Sequence, residues 1–240
     1  MRLLSLFLGI LLFLACVAVP LPGLDHNAPF SAHMLRHVLL LLVAAPLLAM
    51  AIPPANPARR GLTGLSRLTA RAPLAPWLMG ILVMWLSHFP DWYNALAGSA
   101  PGIVSCAPLD VTRLIHPGTG GGAAGGAAVR GLLNDMGLLL AGFCFSWPVV
   151  TPYPSFRLPP LRAILYLSSA CVCCSLLGLL ITFAPPGTYR GITMPDQQTG
   201  GLIMWVPCCF LYLSASMSLL IHWLSGNEGT SLFRYTTIRP

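Results

Sequence analysis

Apolar residues run along this chain in six long blocks separated by short polar joints. The blocks cover about Leu3 to Val19, His33 to Ile52, Leu74 to Phe89, Gly131 to Val150, Leu161 to Ala184 and Gly200 to Leu224. Each is close to the ~20 residues that a helix needs to cross a bilayer. The pattern predicts an all-α polytopic membrane bundle of about six spans, forming a single membrane domain over residues 1–240. Prolines punctuate the joints, among them Pro20, Pro22, Pro53, Pro54, Pro90, Pro152, Pro154, Pro185 and Pro186. Pro46, Pro148 and Pro207 fall inside or near the ends of spans, where neighbouring helices can satisfy the carbonyls they free. Kinks are expected there. The first block, short and preceded by Arg2, also fits a cleaved signal peptide; we read it as a retained helix.

Composition supports the membrane reading. Of 240 residues, 56% are hydrophobic and 8% charged, against about 25% charged in a soluble domain. So few charges cannot solvate a soluble surface of this size. The net charge is +7, and every basic residue is arginine. The arginines sit between apolar runs, not on a polar face of the kind nucleic acid requires, so no nucleic-acid partner is expected. Topology explains them better. With the N-terminus in the cytoplasm, nine arginines fall inside: Arg2, Arg59, Arg60, Arg67, Arg71, Arg157, Arg162, Arg234 and Arg239. Three fall outside (Arg113, Arg130, Arg190), and Arg36 lies in the second span. Positive residues favour the cytoplasmic side, which predicts both termini in the cytoplasm of a bacterial cell, with the chain in its inner membrane. The longest loop, about 91–130, then lies outside. Its tract Gly118 to Ala128 reads as a flexible linker, and no Gly-Lys-Ser/Thr follows to make it a phosphate loop.

This orientation gathers the polar side chains. Ionisable groups at membrane depth are costly and mark bundle interiors or functional sites. His33 and His37 open the second span, four residues apart and so on one helix face. Met34 and Arg36 neighbour them, and Asp25 and His26 precede them. His88 closes the third span, one turn beyond Met84. Asn134 and Asp135 open the fourth, and Met194 and Asp196 precede the sixth. All fall at one outer level. Imidazole with thioether suits copper, and carboxylate is tolerated by Cu(II). The candidate metal ligands are therefore His33, His37, His88, Asp135, Met194 and Asp196. Two other readings stay open on spacing alone: ordinary interfacial histidines, and bis-histidine haem ligation through His37 and His88.

Elsewhere the chemistry is sparse. His116 lies in the outer loop and His222 at the far end of the sixth span. Met204 and Met217 read as packing residues. Seven of the eight cysteines lie in apolar runs, Cys106 alone in a polar loop; they read as small apolar helix residues. No nucleophile–base set and no paired carboxylates within one span occur, so no enzyme activity is expected.

Four segments resemble the CtaG-like cytochrome c oxidase assembly factors known from caa3-type oxidases. They are FSAHMLRHVLLLLVAAPLLAM (Phe30 to Met50), MWLSHFPDWYNAL (Met84 to Leu96), LAGFCFSWPVVTPYP (Leu140 to Pro154) and MPDQQTGGLIMWVP (Met194 to Pro207), in the family's order. The resemblance implies a polytopic inner-membrane protein that helps mature a haem–copper oxidase by supplying copper. Its partners would be the lipid bilayer and an oxidase subunit or a copper chaperone. Position by position it points to His33, His37, His88 and Asp196. One departure is visible: many relatives carry a histidine where this chain has Asn134-Asp135. The chain also has one span fewer than some relatives. A copper transporter, a haem-binding redox subunit and a metal-free structural subunit are the competing functions.

Overall fold

A computed structural model of the chain describes residues 2–18, 27–53, 60–97 and 121–225. Among the described residues the structure is entirely helical. The elements are α1 (Arg2–Ala18), α2 (Pro29–Val38), a π-helical turn (Leu39–Ala44), α3 (Ala45–Ala51), α4 (Arg60–Arg71), α5 (Leu74–His88), α6 (Pro90–Ala97), α7 (Gly121–Val150), a 3₁₀ turn (Pro154–Phe156), α8 (Pro160–Phe183) and α9 (Met194–Ser225). Asp25, His26, Cys106 and His116 lie outside the described residues.

Among the described residues, four helical runs are long and apolar enough to cross a membrane: Pro29–Ala51, Leu132–Val150, Pro160–Phe183 and Met194–Ser225. A fifth exists if α4 and α5 count as one span broken by a 91° bend. Of the six expected spans, four or five are met by length among the described residues, and α1 is a shorter apolar helix. α5 has only 15 residues, about 22 Å of rise, because Ala72 and Pro73 end α4 and restart the helix at a new angle. α1 has 17 residues, about 25 Å, short of the ~30 Å hydrocarbon core. It still packs inward, with Gly9 seated against Leu48 of α3. Two boundaries also move. The last span begins at Met194, and α7 begins at Gly121. Part of the tract expected to be a flexible linker is thus helical, since its alanines are the strongest helix formers and extend an existing span.

Two devices set the helix positions around the site. The first is Pro46, which has no N–H to give the Leu42 carbonyl. The preceding turn widens instead, and the Ala45 N–H bonds the Leu40 carbonyl five residues back. Such π turns rotate the residues beyond them relative to those before. Gly142 of α7 fits against this turn, where an added Cβ would lie 2.6 Å from the Leu41 carbonyl oxygen. The second device is close packing of α8 on α9. A Cβ on Gly178 would meet the Trp205 side chain at 2.7 Å, and one on Gly201 would collide with Thr182. Small residues let membrane helices approach where lipid supplies no hydrophobic drive.

The bundle has two unlike ends. At one, α4 docks on the end of α7: Trp147 Nε1 donates to Ser66 Oγ (2.9 Å) and Ser66 meets Thr151 (3.1 Å). Arg157 Nε donates to the Thr151 carbonyl there (2.7 Å), and α4 brings Arg67 and Arg71. The other end holds the start of α2, the end of α5, α6 and the start of α9.

Candidate metal centre

The site begins with the start of α2. Its first amides have no partner inside the helix, and Ala28 at the cap position has no side chain to offer. The cap comes from α9. Asp196 accepts from Phe30 N on one carboxylate oxygen (2.9 Å) and from Ser31 N on the other (2.9 Å). Ser31 Oγ donates to the same carboxylate at 2.6 Å. Gly200, one turn along α9, leaves space for the Phe30 ring. α2 is thereby clamped at a defined height and rotation.

That rotation buries His33 and His37 side by side, their ring centroids 3.9 Å apart. His88 reaches them from the last turn of α5. Its Nδ1 donates to the Met84 carbonyl (2.6 Å), with Ser87 Oγ 3.0 Å away. This leaves Nε2 as a lone pair facing the other rings. His37 Nδ1 lies 3.2 Å from that nitrogen, and Asn134 Nδ2 lies 3.2 Å from His37 Nε2. One assignment satisfies the chain: Asn134 donates to His37, His37 to His88, and His88 to Met84. Tyr189 fixes the backbone from behind by donating to the His88 carbonyl (2.9 Å). Burial pushes the Tyr189 phenol up to about 12, so it remains a donor at neutral pH.

His33 is different. It is 3% exposed, and neither ring nitrogen has a hydrogen-bond partner. Tyr93 packs against it at 5.5 Å between ring centroids. An unsatisfied buried polar group costs about 1–3 kcal/mol, so a bare imidazole here, beside two others, calls for a ligand. One nitrogen from each of His33, His37 and His88 can be chosen so that all three lie within 4.8 Å of one another. Nitrogens bound about 2.0 Å from one ion are separated by less than ~4 Å, so small side-chain adjustments suffice. The burial also counts against ordinary interfacial histidines, which would turn their polar edges to water.

The other expected ligands lie elsewhere. The Asp196 carboxylate is engaged on α2. Asp135 is buried in the neighbourhood of Cys16 and Arg36. Among the described residues neither joins the three-histidine group. Met194 is half-buried in the first turn of α9. Asn134, passed over as a site residue in favour of Asp135, makes the contact to His37; its signal was only that of a polar side chain at membrane depth. Met84 and Met204, with His37 and His88, line a small void beneath the rings.

The family model for the cytochrome c oxidase caa3 assembly factor matches residues 1–104 and 126–226. The chain belongs to that family. Neither the curated proteins nor the solved structures include a match. The matched regions contain all three histidines and the aspartate that clamps α2.

Proposed function

We propose that this caa3 assembly factor binds copper as cargo between His33, His37 and His88, at the outer face of a bacterial inner membrane, and passes it to a haem–copper oxidase subunit. The observation that carries this reading is His33: a dry, unpartnered imidazole against two oriented ones. Imidazole binds copper well. Bonds to the far side of a ligating ring set its tautomer and direction, and two such bonds are already built. Met84 holds His88 by Nδ1, leaving Nε2 for a metal. Asn134 holds His37 by Nε2. Because an amide can donate or accept, a flip of Asn134 would stabilise the His37 tautomer whose Nδ1 lone pair faces His88. The arginine-rich end, with Arg67, Arg71 and Arg157, supports a cytoplasmic placement opposite the histidines. An assembly role fits a site with no nucleophile–base pair.

Haem ligation is less well supported. The His37 and His88 nitrogens already sit 3.2 Å apart, and the void beside them is lined by Leu41, Leu138 and two methionines. A macrocycle has no seat there without separating α2 from α5.

Copper analysis of the purified protein tests the proposal, alongside His33→Ala/His37→Ala and His88→Ala. Stoichiometric copper in the wild type and at least a tenfold weaker affinity in both variants is expected. Equal copper in all three would remove the ligand assignment. A Soret band in the purified protein would favour the haem reading.

A further inference from the structure

Below the histidines lies a column of sulfur that separate apolar helices bring together. Met84 stands one turn inside His88 on α5. Its Sδ is 3.4 Å from Cys174 Sγ of α8. Cys174 in turn lies within interaction range of both Cys208 and Tyr212 on α9. Met204, one turn from Cys208 on α9, lines the void that touches His37, His88 and Met84. Cys174, Cys208, Met84 and Met204 are each no more than 2% exposed. Two thiols and two thioethers from three helices thus form a dry chain that starts at the histidine cluster and leads toward the middle of the bundle.

We propose that Cys174, Cys208 and Met84 form a second, all-sulfur site for Cu(I) beneath the histidine site. This deepens the copper reading given above and rests on it for the identity of the metal. Thiolate and thioether ligands select Cu(I) over harder ions. Ligation by one cysteine as thiolate replaces one thiol proton by one Cu(I), the proton leaving to solvent, while the second cysteine stays a neutral thiol beside it, with no electron transferred. The core therefore gains no net charge, which matters because an uncompensated charge in this dry setting would be prohibitive. Met84 couples the two sites physically. Its carbonyl orients His88 while its sulfur faces Cys174. The neighbouring pair Cys171 and Cys209, at 3.6 Å, is a weaker candidate, because Ser175 already bonds Cys209 and Cys209 is half-buried.

The test is anaerobic Cu(I) loading of the full-length protein in detergent, read by metal stoichiometry and by X-ray absorption for sulfur against nitrogen ligands. The wild type should bind two equivalents with both ligand types. His33→Ala/His37→Ala should retain one equivalent with sulfur ligands alone. Cys174→Ala/Cys208→Ala should retain one with nitrogen ligands alone, and Cys171→Ala/Cys209→Ala should match the wild type. Absence of sulfur ligands in the wild type overturns the second site without reference to any variant's folding. Loss of the sulfur signal only in Cys171→Ala/Cys209→Ala overturns the choice of pair. One sulfur-bound equivalent in both the wild type and the histidine variant would remove the histidine site and leave the sulfur site standing. No Cu(I) bound by the wild type would remove both.

Discussion

The histidine end of the bundle and the apolar groove beside the π turn are built on opposite principles. At the histidine end, parts distant in sequence are joined by directional bonds: Asp196 to α2, Tyr189 and Asn134 to the histidines, and Gln197 to the Ile181 and Ala184 carbonyls at the end of α8. Beyond the π turn the same helices part. There Leu41, Leu47, Met50, Phe145, Leu211 and their neighbours line an open apolar groove of about 280 Å³. Lipid tails are as apolar as leucine, so filling that groove from the protein side gains little. Polar satisfaction cannot come from lipid, so the histidine end has to be closed by the protein itself. The site sits where the structure is most constrained, and the slack is left where the bilayer can take it up.

That contrast is open to direct attack. The largest effect is expected from Asp196→Ala, which removes the acceptor for two backbone amides and a hydroxyl. Charge-assisted bonds of this kind contribute about 1.5–3 kcal/mol each when broken singly, and caps about 1 kcal/mol. A loss of roughly 2–4 kcal/mol in detergent unfolding is expected, together with weaker copper retention, while Asp196→Asn should recover part of both. If Asp196→Ala unfolds like the wild type, the histidine end is not held in the way described. Gly142→Ala should be intermediate. Its Cβ would press on the Leu41 carbonyl 2.6 Å away, and overpacking of this sort costs about 1–3 kcal/mol. Leu47→Ala, in the groove, should be the mildest, within about 0.5 kcal/mol, because lipid replaces the lost contacts. A Leu47→Ala cost as large as that of Asp196→Ala would erase the distinction between the two regions.

Much of this architecture was visible in the chain alone. The apolar blocks marked the membrane helices because hydrocarbon thickness imposes a length, and arginine asymmetry separated the ends. Helical spacing and span ends put His33, His37 and His88 at one depth, and the fold brings the three side chains together. What escaped were facts settled between helices. Asp196 looked like a ligand, and only the fold shows that its carboxylate meets amides 165 residues away. The 91° break between α4 and α5 falls at the joint just before the third apolar block, and the arginine-bearing helix ahead of it carried no hydrophobic signal of a span. The cysteines read as filler because they lie inside apolar runs. Cys174 meets Cys208 only because α8 and α9 fold back on each other.

The clamp on α2 also has a consequence in time. The histidine-bearing helix enters the membrane early in synthesis, but the carboxylate that seats it lies 165 residues further on. At about 5–20 residues per second, the ribosome needs on the order of ten seconds to supply it. Until then the start of α2 lacks its partner, and the three imidazoles have no fixed meeting point. On the proposed copper function, loading would therefore wait for completion of the chain: a nascent or truncated copy, already carrying every histidine, would lack the clamp that seats them.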